Sequence, residues 1–147
     1  MKNDMPLYEL PNCLKKKISK EIYIKWLDRK AGSLRRRDRK NSHATKKGYK
    51  EAIHQAVKQS EGRDAYTGGK LVWSLISKWK NEDAKKGGDE YMRRFALLPT
   101  VDHFSGRGSK PDFRICSWRT NDAKGNMSLK EFRDFCKKVI RYSKYRS

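Results

Sequence analysis

Pro99-Thr100-Val101-Asp102-His103-Phe104, Ser105-Gly106-Arg107-Gly108-Ser109-Lys110-Pro111 and Phe113-Arg114-Ile115-Cys116-Ser117-Trp118 form the stretch whose reading decides the fold. Its two flanks are rich in β-branched and aromatic residues, which favour strands. Its middle is a run of glycine, serine and proline that makes a loop. Strand, loop, strand is therefore expected, followed by a short helical piece opening near Asn121. Beyond it, Ser128-Leu129-Lys130-Glu131 is a capping box that starts a last helix. In that helix Leu129, Phe132, Cys136, Val139 and Ile140 recur at helical spacing and read as a buried stripe.

Working upstream, Asn81 to Glu90 is polar and contains glycine, which predicts a loop. Leu71 to Ile76 is a strand or a short helix, since so short an apolar run has no distinguishing period. Asp64-Ala65-Tyr66-Thr67-Gly68-Gly69-Lys70 is turn-rich. Before it, Leu14, Ile18, Ile22 and Trp26 recur every four residues with Leu27 alongside, an apolar helical stripe that Ala31-Gly32-Ser33 interrupts. Tyr49, Ala52, Ile53, Ala56 and Val57 make a second stripe, ending near Ser60-Glu61-Gly62. His54 lies beside it and reads as a surface or packing histidine, because no second ligand stands four residues away. The expected class is α+β: a basic helical region over 1–61, and over 62–147 a unit of two strands with flanking helices. There is no internal repeat.

Composition narrows the function. The 147 residues carry 37 Lys and Arg against 17 Asp and Glu, a net charge of +20. Only 35% are hydrophobic, yet 11% are aromatic, enough for a compact core and against a wholly disordered chain. The longest apolar run, Phe95-Ala96-Leu97-Leu98, is far too short to span a membrane. The first residues lead into no apolar secretory segment, so an intracellular, cytoplasmic protein is expected. Cys13, Cys116 and Cys136 are odd in number and widely spaced, and His43, His54 and His103 are scattered. Neither a disulfide framework nor a structural zinc site is indicated.

Between Lys15 and Lys50, 15 Lys or Arg face three acids, a segment charge of +12 in about a quarter of the chain. Arg35, Arg36, Arg37, Arg39 and Lys40 are the densest cluster. Such density suits a phosphate-binding surface, since each neutralised phosphate releases counterions. The competing reading is a solubilising helix face; at this total charge nucleic acid is favoured.

The strand–loop–strand–helix order also gathers chemistry. Asp102 and His103 fall near the end of the first strand and Asn121 opens the piece after the second, so the three can face one small volume. The Asp102 carboxylate and Asn121 amide are hard oxygens that suit one Mg²⁺, the remaining ligands being waters and a phosphate. A neutral His103 can deprotonate an attacking water at neutral pH. The combination suits phosphodiester hydrolysis.

Alone, an Asp-His pair is a common turn detail. Its surroundings add weight. Tyr66-Thr67-Gly68, Val101-Asp102-His103, Phe113-Arg114-Ile115, Asn121-Asp122-Ala123-Lys124-Gly125 and Ser128-Leu129-Lys130-Glu131-Phe132, in that order, resemble the HNH, or ββα-metal, endonucleases. The likeness is greatest to the zinc-free branch that includes the HNH domain of RNA-guided DNA nucleases, where a Tyr-Thr-Gly turn replaces a zinc-binding cysteine pair. It covers roughly residues 64–132 and leaves the basic first sixty outside.

The resemblance implies His103 as general base and Asp102 and Asn121 as ligands of Mg²⁺ or Mn²⁺, with no structural zinc. Its middle Asn position falls on Asp112, a departure, as a support of the site. It makes Lys124 and Arg119 candidates for holding the scissile phosphate, with double-stranded DNA as partner and a 5′-phosphate and 3′-hydroxyl as product ends. One such site cuts one strand per visit, so a double-strand break needs a homodimer or two encounters. Two other classes compete: a non-catalytic nucleic-acid binder on the same scaffold, and a basic protein that docks an acidic partner. Neither needs Asp102, His103 and Asn121 together.

Overall fold

The structure is a computed structural model that describes residues 8–105 and 110–146, so Gly106 to Ser109 of the expected loop lie outside the described residues. Among the described residues the architecture is α+β, five α-helices packed with one two-stranded antiparallel hairpin. In order they are α1 (Lys20–Arg37), α2 (Lys46–Ser60), α3 (Asn81–Arg94), β1 (Pro99–His103), β2 (Phe113–Ser117), α4 (Trp118–Lys124) and α5 (Leu129–Arg146). None of these helices is long and apolar enough to cross a membrane.

The stripe over Leu14 to Trp26 is helical only in its second half. Leu14 closes a single 3₁₀ turn, and Ser19 caps the start of α1, its hydroxyl accepting the Ile22 N–H at 3.2 Å. The expected interruption at Ala31-Gly32-Ser33 is absent, and α1 runs through it to Arg37. Ala31 and Leu34 continue the buried face begun by Tyr23, Trp26 and Leu27. A helical glycine costs about 1 kcal/mol against alanine, less than the burial of one leucine contributes.

The second stripe becomes α2, capped by Thr45 and ended by Glu61 in the left-handed conformation (φ 52°). Asp28 on α1 ties the two helices through Lys46 and Lys50, each 2.9 Å away, and these bonds hold its carboxyl below the usual range. His54 is a packing residue: Tyr23 donates its hydroxyl to Nδ1 at 2.6 Å, and burial lowers the imidazole pKa, favouring the neutral acceptor.

Two further expectations change. Residues 81–90, expected as a loop, belong to α3, with Gly88 (φ 53°) breaking the helical backbone inside it. The sequence hides this helix because it is mostly charged or glycine and almost all of it is exposed. It is anchored at its ends, where Tyr91 and Phe95 close around Trp79 with ring centroids 5.2 and 5.3 Å apart. The Leu71 to Ile76 run resolves into a 3₁₀ helix over Trp73–Ser77.

The last helix forms where expected, and its capping box closes: Glu131 N–H reaches Ser128 Oγ at 3.1 Å, and Ser128 N–H reaches Glu131 Oε2 at 3.4 Å. Its stripe is not a core. Leu129, Phe132 and Cys136 are only half-buried, while Val139 and Ile140 are 51% and 55% exposed. A capping box and a period specify a helix; they do not supply a surface to bury it against.

The core is one cluster drawn from both parts of the sequence. Trp26 of α1 meets Trp73 edge-on at 5.4 Å, and Tyr49 of α2 meets Phe113 of β2 edge-on at 5.1 Å. The hairpin register pairs Val101 with Ile115, Asp102 with Arg114 and His103 with Phe113. Because side chains alternate along a strand, Asp102 and His103 leave β1 on opposite faces.

Lys30 of α1 reaches toward Thr100 Oγ1 at 3.5 Å. Burial, with Arg29 and Arg37 nearby, pushes its pKa down to about 8. The unfolded chain then binds more protons between about pH 8 and 10.5, so the lysine costs stability below 8 and that cost fades as pH rises through this window. Discounting for the part of the side chain that water still reaches, Lys30→Met is expected to stabilise the protein by about 1–3 kcal/mol at pH 7. Urea unfolding at pH 7 and pH 11 checks it: the gain must be smaller at the higher pH.

Candidate functional site

Local sequence sets each wall of the site. Asp64 begins a turn in which its Oδ1 accepts the Tyr66 and Thr67 N–H groups at 2.8 and 3.1 Å, while Oδ2 accepts the Ser117 N–H at 3.0 Å. Burial works to raise its pKa, but these bonds and one from Thr120 outweigh it and hold it low. Ala65 N–H bonds Ile115 O at 2.8 Å, fastening the turn to β2. Ser117 ends β2 and caps α4, its hydroxyl accepting the Thr120 N–H at 2.9 Å. Turn, hairpin and α4 are thus joined through Asp64 and Ser117.

Within these walls Asp102 is 9% exposed. Its Oδ2 accepts the Tyr66 hydroxyl at 2.5 Å and lies 3.0 Å from the Lys124 ammonium. Burial first, then the bond to Asp102 and its charge, push the Tyr66 phenol up, so Tyr66 stays a donor. Lys124 is itself 5% exposed, a cation taken out of water to meet this carboxylate. Asn121 is half-buried and precedes Lys124 by three residues on α4, which puts both on one helical face.

His103, on the opposite face of β1, is held by a residue from far away. Its Nε2 lies 2.6 Å from Oδ2 of Asp38, the C-cap of α1. Asp38 is 4% exposed and also accepts the Tyr49 hydroxyl at 2.7 Å. Phe113 stands edge-on to the imidazole at 5.1 Å. The ring is held by Asp38 at Nε2 and by Phe113 at its edge, and 16% of the side chain remains open to solvent.

The expectation that Asp102, His103 and Asn121 face one small volume is not met for His103, which β1 sends to Asp38 on its other face, and the other expected residues separate as well. Asp112 turns to Arg114 rather than to His103: its carboxylate binds the Arg114 guanidinium at 2.6 Å, and Arg114 lies over the Phe104 ring at 3.9 Å. Its backbone carbonyl accepts the Phe104 N–H at 2.9 Å and closes the hairpin end. Lys124 and Arg119 divide: Lys124 is buried on Asp102, and Arg119 is exposed at the start of α4. Arg35, Arg36, Arg37, Arg39 and Lys40 are all exposed, flanking the buried Asp38. The cluster therefore adjoins His103, although the chain separates them by more than sixty residues.

Sequence reasoning missed Asp38 and the part played by Tyr66. Asp38 did carry a signal, being the one acid inside a run of five cations. Among the described residues no three His, Cys, Asp or Glu side chains converge on a common point. All three cysteines are free, and burial pushes the Cys116 thiol up, leaving it an inert core group. What the arrangement offers is an imidazole aligned by a buried carboxylate and, on the other face of β1, a second carboxylate that holds a cation. Comparison with known proteins gives no match: no family model, no curated protein and no solved structure resembles the chain significantly.

Proposed function

We propose that the chain is an HNH-type, metal-dependent endonuclease that hydrolyses phosphodiester bonds in double-stranded DNA, built on a ββα-metal core over β1, β2 and α4. The observation that carries this reading is the Asp38–His103 pair at 2.6 Å. With Nε2 engaged by a carboxylate, Nδ1 is the nitrogen left to take a proton from water. Asp38 then orients the ring and offsets the charge it acquires.

The donor set fits Mg²⁺ or Mn²⁺. Asp102 already keeps a cation, the Lys124 ammonium, at 3.0 Å, and the Asn121 amide on the same α4 face adds a second hard oxygen donor. A metal ion bound there supplies charge stabilisation for the phosphate and leaving oxygen. Tyr66 holds the Asp102 carboxylate in orientation. Lys124, once released from Asp102, is a cation for the phosphate. No structural zinc enters the reading, because Tyr66-Thr67-Gly68 is held by Asp64 and backbone bonds.

Plasmid DNA incubated with the protein is expected to be nicked in Mg²⁺ and left intact in chelator. Binding without nicking in either Mg²⁺ or Mn²⁺ selects a second reading, a non-catalytic nucleic-acid-binding protein. The Lys124–Asp102 pair favours that alternative if the ammonium never yields its place.

The exposed cations around Asp38 have a separate consequence. Neutralising Arg35, Arg36, Arg37, Arg39 and Lys40 together is expected to weaken duplex binding about equally for all sequences. It should reduce the slope of log K against log salt by roughly 0.9 for every phosphate that is no longer neutralised. Asp38 stays in place, so saturating protein still cleaves at near-normal rate. A salt titration by fluorescence anisotropy reads the slope; an unchanged one reduces the cluster to solubilising charge.

A further inference from the structure

Beside the Asp102 centre, the start of α4, the end of α3 and the 64–71 turn enclose a cleft of about 450 Å³. This is ample room for a nucleotide-sized group. Lys70, Arg93 and Arg119 line it from three separate segments, with Thr67 and Thr120 between them. All three cations are exposed, and no carboxylate of the described residues pairs with any of them. The acid in the lining, Asp64, is 3% exposed and already occupied by N–H donors. The cleft is therefore positively charged and uncompensated.

Its walls are fixed. Trp118 and Arg119 donate their N–H groups to Leu98 O and Ala96 O at 2.8 and 3.2 Å, and Val72 N–H bonds Leu97 O at 3.0 Å. Three like charges converging on a walled concavity repel one another unless an anion joins them. Two of the three are guanidinium groups, whose planar forks suit phosphate oxygens.

We propose that this cleft binds a backbone phosphate of the DNA strand, flanking the bond that is cut. The turn that lines it with Thr67 sends Tyr66 to Asp102, and the helix that lines it with Arg119 and Thr120 sends Lys124 there. A strand lying in the cleft thus continues toward the Asp102 centre. The position beside a cut bond rests on the nuclease reading; phosphate binding itself does not.

The test is duplex binding in chelator, where no cleavage occurs, followed by anisotropy across a salt series. Arg93→Ala with Arg119→Ala is expected to reduce the slope of log K against log salt by roughly 0.9 for each phosphate left unneutralised. Lys137→Ala with Lys138→Ala on exposed α5 removes the same charge and should leave the slope nearly unchanged. Backbone amide resonances of Thr67, Gly69 and Lys70 should move on adding duplex, and much less with inorganic phosphate at equal concentration. An unchanged slope in the cleft variant, or an equal reduction in the α5 variant, overturns the proposal. Inorganic phosphate binding as tightly as duplex overturns it too, leaving a small-anion site. Plasmid nicking with an unaltered slope sinks the cleft alone; an altered slope without nicking supports the cleft and sinks the nuclease reading.

Discussion

His103→Ala is expected to lower the cleavage rate by about 10²–10⁴ while leaving duplex affinity nearly intact, because removal of a general base acts on the chemical step. The side chain is mostly enclosed and bonded to Asp38, so its removal also leaves a buried carboxylate short of one donor. That costs about 1–3 kcal/mol of stability. Rates are therefore compared well below the melting midpoint, and Asp38→Asn provides a second variant of nearly unchanged shape. It keeps an acceptor for the Tyr49 hydroxyl but removes the charge facing the imidazole. Its expected signature is a kcat lowered by about 10–100-fold with little change in KM, the pattern of a partner that positions a catalytic group. Asp38→Glu should recover part of that activity. If His103→Ala cleaves at the wild-type rate, His103 is not the base and the Asp38 pair is a packing detail.

Asp102→Asn is expected to raise the Mg²⁺ concentration for half-maximal cleavage by at least about tenfold, since it removes the one charged ligand of a site that otherwise relies on an amide, water and phosphate. Asn121→Ala should shift it in the same direction, with Mn²⁺ recovering more activity than Mg²⁺. The substitution at Asp102 has a structural cost as well. The side chains of Lys124 and Asp102 are 6% and 11% exposed, and removing one member of a buried ion pair costs about 3–5 kcal/mol through the charge left behind. Asp102→Asn combined with Lys124→Met removes both charges, restores the melting midpoint, and still shows the metal defect. Cleavage by that double variant at wild-type metal concentrations would remove Asp102 from the metal site.

Much of this molecule was legible in its sequence because the relevant signals are short-range. β-branched content around a glycine-rich loop specified the 99–117 hairpin, a four-residue apolar recurrence specified α2, and Ser128 with Glu131 specified the start of α5. The same hairpin put Asp102 and His103 at a strand end, but the expectation that both face one volume overlooked the alternation of side chains along a strand, which sends them to opposite faces. The +20 charge and its concentration before Lys50 needed no structure at all.

Tertiary structure decided the rest, for one physical reason: partners distant in sequence are chosen by packing, and periodicity carries no record of them. α1 runs through Gly32 because Ala31 and Leu34 find the core, and charged α3 forms because Trp79, Tyr91 and Phe95 anchor it. The α5 stripe is only half-buried at Leu129, Phe132 and Cys136 and stays open at Val139 and Ile140, since its period does not supply a surface to bury it. Asp38, a single acid in a basic run, is buried and must be satisfied, and the donors that packing brings it include Tyr49 and, 65 residues away, His103. Lys124 likewise enters the interior because Asp102 is there to neutralise it. Composition and spacing determined which groups this protein has for chemistry; burial, by forcing each polar group to find a partner, decided which of them meet.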